Sequence, residues 1–213
     1  MTTTPDSTVA SPPASRRHAT ARKAPRPVHP LLHKLFELYP RLFGARFLPL
    51  KLGVFEDLVA AHPADLPAAE LKVALGLHTR SNRYIEAVAS GLPRHDLQAR
   101  PVEPVAPEHV HHAVLELYKR RRGKAPEQAR QHAVEQMAAA VEASGLSREG
   151  YRERFTSPDD DLHSLMEDAL ALVAQRRARR EALRNAFAAS GKPVAEFAEM
   201  YGLDPAEAER LLA

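Results

Sequence analysis

Proline and glycine cut the apolar residues of this chain into short helical stripes, and that punctuation is what most limits its fold. Leu31, Leu32, Leu35, Phe36 and Tyr39 fall at helical spacing and stop before Pro40, because a residue preceding proline is pushed out of the α region. Val54, Phe55, Leu58 and Val59 make a second stripe that ends near Pro63. Pro67 and Glu70 open a third, with Leu71, Ala74, Leu75 and His78 on its inner face. Ser81 is placed to cap a fourth that carries Tyr84, Ile85 and Val88 and closes at Gly91. Pro107 and Glu108 start a fifth, where Val110, Ala113, Val114, Leu117 and Tyr118 recur along one face. Between the last two, Arg94 to Leu97 and Pro101 to Val105 carry a short alternating signal that predicts a small β-hairpin. The fold class expected is mainly α.

Two segments differ from this central stretch. Residues 1–28 consist mostly of Thr, Ser, Pro, Ala and Arg. With so few large apolar side chains such a segment cannot offset its ordering entropy, and it reads as a disordered tail. After Gly123-Lys124-Ala125-Pro126 the composition shifts to Ala, Glu, Arg and Gln. Long helices are predicted near 127–143 and 161–188, the second with Leu162, Leu165, Met166, Ala169, Leu170 and Val173 on one face. Ala143-Ser144-Gly145 followed by Tyr151 and Phe155 repeats as Ala189-Ser190-Gly191 followed by Phe197 and Tyr201, which suggests two copies of a helical hairpin. The organisation expected is a basic tail over 1–28, a domain over 29–124 and an α-helical C-terminal extension over 125–213.

The net charge is only +3, but the basic residues are clustered. Arg16, Arg17, Arg22, Lys23 and Arg26 lie in the tail, Lys119, Arg120, Arg121, Arg122 and Lys124 form a second block, and Arg176, Arg177, Arg179 and Arg180 a third. Such clusters point to a polyanion partner or, more plainly, to solvated helix faces. The absence of cysteine excludes disulfides, thiolate zinc sites and cysteine nucleophiles. No apolar run approaches the ~20 residues of a membrane helix, and the start lacks the apolar core of a secretory signal. A cytoplasmic protein with no membrane partner is the expectation. No Gly-rich phosphate loop, zinc-protease or nucleophile-elbow motif is present, so neither an enzyme nor a cofactor is expected. His109, His111 and His112 lack the carboxylate or cysteine partners that would complete a metal site. Asp159-Asp160-Asp161 reads as a helix cap with dipole complementarity.

The polar turn Thr79-Arg80-Ser81-Asn82-Arg83-Tyr84 is the densest candidate for chemistry. Its hydroxyls and helix-start amides can bond phosphate or ribose oxygens, arginine forks match phosphates, and a tyrosine can stack on an unpaired base. Lys51, just before Gly53 at a helix start, could hold a phosphate there. Arg94 follows Gly91 and Pro93 in a turn and could reach the surface of Tyr84.

Pro49-Leu50-Lys51-Leu52-Gly53-Val54-Phe55, Leu71 to Leu77, Thr79 to Tyr84, Arg94 to Leu97 and the helix from Glu108 together resemble the FinO/ProQ domain of bacterial RNA chaperones. The resemblance covers roughly His29 to Gly123. It implies a compact helical domain with a small β element and a basic concave face. It also implies binding of structured RNAs, small RNAs and mRNA 3′ ends, at a hairpin followed by a single-stranded 3′ tail. The family's functional positions fall on Lys51, Lys72, Thr79, Arg80, Ser81, Arg83, Tyr84 and Arg94. Some relatives carry a basic residue where this chain has Gly76 and an aromatic where it has Asn82. RNA protection or RNA–RNA pairing is the function expected. The rivals are a DNA-binding regulator with a helix-turn-helix around Val194–Tyr201 and Pro205–Leu212, and an adaptor that binds a protein partner through residues 125–213.

Overall fold

The computed structural model describes residues 29–212; the tail read over 1–28 lies outside them. In chain order the elements are α1 (Pro30–Leu38), α2 (Pro40–Phe43), α3 (Val54–Ala61), α4 (Ala68–Thr79), α5 (Asn82–Ala89), β1 (Arg94–His95), β2 (Pro101–Glu103), α6 (Pro107–Arg121), α7 (Pro126–Ser144), α8 (Arg148–Arg154), α9 (Asp160–Ser190), α10 (Val194–Tyr201) and α11 (Pro205–Leu212). The mainly helical class with one small antiparallel pair is the class the periodicity predicts. Proline marks starts as well as stops. Pro30, Pro40, Pro107 and Pro126 all sit in the first helical positions, where a missing N–H has no acceptor to lose and φ is already helical. That dual use produces α2, which the stripes did not reveal.

The hairpin is shorter than expected. Arg94 pairs with Glu103 and His95 with Pro101, with an irregularity between them. Asp96 ends the first strand. Its Oδ1 accepts the N–H groups of Gln98 and Arg100 at 3.0 and 2.9 Å, which folds the chain into a side-chain-closed turn. On its other side β1 is bridged to the loop before α3, with the His95 N–H on the Pro49 carbonyl and the Lys51 N–H on the His95 carbonyl.

Two cores meet at α5. One gathers Leu35, Leu42, Phe43, Leu58, Leu71, Leu75 and Tyr84 from α1 to α5. The other joins Val114 and Leu117 of α6 to Met137 of α7, Tyr151 of α8, and Leu165 and Met166 of α9. Val88 of α5 packs against both and against a small third cluster of Val105, Val110 and Ala140. Residue 124 therefore marks a change in composition within continuous packing. The α7 and α9 helices run parallel, tied by the ion pairs Arg130–Asp168, Arg176–Glu135 and Arg180–Glu142. Asp159 caps α9, accepting the N–H groups of Asp161 and Leu162. Asp161 instead turns to the Tyr118 hydroxyl, Arg122 and Arg130.

The repeated sequence is a repeated structure. Gly145 and Gly191 end α7 and α9 with φ of 67° and 60°, a conformation glycine adopts without strain. Ser144 Oγ donates to the Val141 carbonyl and accepts the Leu146 N–H; Ser190 Oγ does the same with Phe187 and Lys192. In the following short helices Tyr151–Phe155 and Phe197–Tyr201 bring their rings to 4.4 and 4.5 Å. The copies differ in cover: Phe155 lies beneath the stacked ring of His111, whereas Tyr201 is 47% exposed.

Two histidines are sealed into these cores. His78 lies among Phe43, Phe47 and Tyr84, and His111 shares a 3.0 Å hydrogen bond with the Tyr151 hydroxyl. Burial, helped by the charges of Arg83 and His112 respectively, pulls both down from 6.5 to about 4. The fold holds them neutral while the unfolded chain takes up a proton below pH 6.5. Their contribution is therefore present above pH 6.5 and is lost as pH falls towards about 4. The expected slope between is about 1.4 kcal/mol per pH unit for each histidine. Urea unfolding at pH 7 and pH 5 measures it, and His111→Gln should remove about half of the difference. A second expectation concerns the shared core. Ending the chain at Lys124 uncovers Val114, Leu117 and Tyr118, so this fragment should unfold at markedly lower temperature than the full chain, read by circular dichroism. An equal midpoint would show that α6 needs no cover from α7 and α9.

Candidate nucleic-acid interface

The α4–α5 turn is built by capping. Thr79 Oγ1 donates back to the Leu75 carbonyl at 2.9 Å, and the Ser81 N–H bonds the His78 carbonyl. Ser81 is the N-cap of α5, its Oγ accepting the Tyr84 N–H at 3.3 Å. Asn82 and Arg83 then supply the orphan N–H groups of a helix start, and neither finds a backbone acceptor among the described residues. The turn is braced from α6 by Arg120, whose Nη1 donates to the Arg80 carbonyl and to Asn82 Oδ1 at 2.8 and 2.7 Å. Arg80 itself is exposed and lies back over Gly76, with Nη2 only 3.2 Å from where a β-carbon on residue 76 would stand. Its guanidinium thus occupies the place next to Gly76, and Lys72, exposed one turn earlier, continues the same face of α4.

Beside the turn is an open cleft of about 440 Å³ between α5, β1 and α6. Tyr84, Ile85, Val88 and Ala113 give it an apolar floor, and Thr79, Arg94, Glu108, His109, His112 and Glu116 surround it. Arg94 and Tyr84 are held there by one residue. The Leu50 N–H donates to the Tyr84 hydroxyl at 3.1 Å, and Arg94 Nη1 donates to the Leu50 carbonyl at 2.9 Å. Arg94 Nη2 meets His109 Nδ1 at 3.2 Å, and its Nε lies 4.0 Å from Glu103. Tyr84 is buried, so it offers the cleft part of its ring rather than a free stacking face; burial raises its phenol pKa. Glu108 pairs with Arg154 and Glu116 with Arg120.

Thr79, Tyr84 and Arg94 are therefore brought together, with Ser81, Arg80 and Lys72 continuing from them along the turn and α4. Two residues of the expected set are engaged elsewhere. Lys51 Nζ is bound to Asp57 at 2.7 Å, an interaction that raises its pKa, and the neighbouring Leu52 N–H donates to Glu103. This helix start already carries carboxylates. Arg83 lies 4.3 Å over the Phe47 ring and donates to the carbonyls of Gly44 and Ala45, so it fastens a loop. The α6 walls of the cleft, Glu108, His109, His112 and Glu116, were missed as a ligand surface. Their signal was the stripe of polar residues four apart on one face of an otherwise buried helix. His111 points the other way, to Tyr151, so the three histidines of α6 do not converge, and no group of three or more metal-ligating side chains occurs among the described residues. No described helix is long and apolar enough to cross a membrane.

Comparison with known proteins bears on the same stretch. The chain is 36% identical over 91 residues to the RNA chaperone ProQ of Shewanella frigidimarina, covering 41% of this chain and 45% of that protein. It is 37% identical over 87 residues to the RNA chaperone ProQ of Shewanella oneidensis, covering 39% and 41%. It thus spans less than half the length of these curated relatives. A solved FinO-like RNA chaperone from Neisseria meningitidis is 37% identical, covering 39% of this chain and 85% of that one with a TM-score of 0.36. The model of the ProQ/FINO family matches residues 25–142. That span is more than half of the chain and takes in the α4–α5 turn and every side chain lining the cleft, so this chain belongs to the ProQ/FINO family.

Proposed function

We propose that this protein is an RNA chaperone that binds structured RNA at its 3′ end, without catalysis, and so protects the end or promotes pairing between RNAs. The observation that carries the reading is the pairing of a cationic turn with an apolar cleft that has carboxylates on its rim. Lys72, Arg80 and the α5 helix start suit the phosphates at the base of a stem, because A-form RNA is contacted through its backbone and 2′-hydroxyls. The cleft suits an uncharged terminal nucleoside. Its floor accepts a base or sugar by apolar contact, Arg94 and His109 offer polar atoms at one side, and the carboxylates of Glu108 and Glu116 can accept hydrogen bonds from ribose hydroxyls. A phosphate placed there would face those two carboxylates. Small RNAs and mRNA 3′ ends of the terminator type, a hairpin with a single-stranded tail, have the form this arrangement would take. A cytoplasmic location accords with such partners.

Two measurements test the reading. A hairpin with a 3′-hydroxyl tail should bind about tenfold more tightly than the same RNA ending in a 3′-phosphate, a difference of about 1.4 kcal/mol. Equal binding removes the terminal nucleoside from the cleft. Lys72→Ala and Arg80→Ala should each lower the slope of log affinity against log salt by about 0.7–0.9. They should leave the hydroxyl-over-phosphate preference unchanged, because their side chains are on the turn and α4. Duplex DNA that competes with the hairpin on equal terms would favour a DNA regulator instead.

A further inference from the structure

The arginines of the second basic block each meet a carboxylate. On α6, Arg120 pairs with Glu116, Arg121 with Glu86 and Arg122 with Asp161. The helices that follow show the same habit: Arg130, Arg148, Arg152, Arg154 and Arg176 each have a carboxylate within reach. Further along α9 the pairing is incomplete: Arg180 still meets Glu142, but Arg177 and Arg184 meet no carboxylate among the described residues. Arg177, Arg180 and Arg184 recur three and four residues apart and so share one face of the helix. The α10–α11 hairpin folds back beside them and adds Arg210. Together with Glu181 and Asn185 they line a cleft of about 460 Å³ between α9 and α11.

Four guanidinium groups and one carboxylate thus line a single concavity among the described residues. Arg180 reaches out of it to Glu142, at 3.2 Å. Arg184 Nε donates to the Leu211 carbonyl at 3.1 Å and Arg210 Nε to the Ala206 carbonyl at 3.2 Å. Each of these bonds occupies one of five N–H donors and fixes the direction of the fork. Arg177 has no hydrogen-bond or ion-pair partner among the described residues. Like charges gathered in a cleft raise the local concentration of anions, and arginine forks oriented by bonds at Nε match phosphate oxygens two at a time. From Arg177 to Arg184 the helix rises roughly 10 Å, which is enough for more than one phosphate of a nucleic-acid strand. The cleft lies beyond residue 142, where the family match ends. It shares no lining residue with the 3′-end cleft.

We propose that the α9–α11 cleft is a second RNA site, which grips the phosphates of a single strand while the first site holds a structured 3′ end. Resting on the RNA reading given above, this deepens it: one chain would hold two RNA segments at two sites, which is the arrangement that pairing between RNAs requires.

The test uses the full chain with Arg177→Gln and Arg210→Gln together. Arg184 is left in place because it carries the contact to α11. The probe is a short oligouridylate ending in a 3′-phosphate, which the first cleft disfavours. The variant should bind it more weakly, and the slope of log affinity against log salt should fall by about 1.4 for two lost phosphate contacts on a single strand. Preference for the hydroxyl-ended hairpin should stay as in the parent, and annealing of two complementary strands should slow. An unchanged slope with unchanged annealing overturns the proposal. So does polyglutamate that binds the parent and not the variant while oligouridylate binds both alike, since the cleft would then serve an acidic protein segment. Failure of the 3′-end reading appears separately, as loss of the hydroxyl preference in the parent.

Discussion

The eight residues of α5 carry the constraint on which the rest of the molecule depends. One side of this helix closes the core of α1–α4 through Tyr84, and the other seats Ile85 and Val88 against α6 and what lies behind it. A helix so short has little stability of its own. It is held by Ser81 at its start, by Arg120 and Arg121 reaching over from α6, and by the apolar surface on both flanks. The turn and the cleft inherit their geometry from it. Shifting α5 by one turn would move Tyr84 off Leu50, the residue that also positions Arg94.

Electrostatic neutralisation decides where this chain can present positive charge. Arginine is abundant, but most guanidinium groups along α6 to α9 meet a carboxylate of a neighbouring helix. Such exposed pairs contribute little stability individually. Their larger effect here is to fix register between helices and to leave unpaired positive charge, among the described residues, at places that include the outer face of α4, the turn at Arg80 and the α9–α11 cleft. A map of basic residues along the sequence could not show this, because many of the partners are distant, 39 positions away in Arg122–Asp161 and 46 in Arg154–Glu108.

Local signals made much of the fold legible. Ser81 and Asp159 were readable as caps, Gly91, Gly145 and Gly191 as ends, and the apolar stripes of α4, α6 and α9 face inward as spaced. The stripes did not tell where each helix would dock, so the packing of α7–α9 onto α6 was not visible, nor was α2. The candidate site was legible to the extent that its residues are adjacent in sequence: the turn from Thr79 to Asn82, followed by Tyr84. Arg94 was placed near them by the turn at Gly91 and Pro93. The internal partners of Lys51 and Arg83, Asp57 and the loop at Phe47, were not readable from sequence. The α6 wall went unread because its histidines suggested a metal before a cleft.

The paired Ser–Gly helix ends have a consequence for how a chain like this can change over generations. Each hairpin carries its own stop, its own restart and its own two-ring lock, all within a local stretch of sequence. A tandem duplication or deletion that respects those ends alters the protein by a whole module and leaves the local hydrogen bonding of each remaining helix end intact. Change of that kind can lengthen or shorten the far end of the molecule while α4, α5 and α6 stay under separate selection. The second copy, with Tyr201 still uncovered, is the one whose surface is freest to diverge.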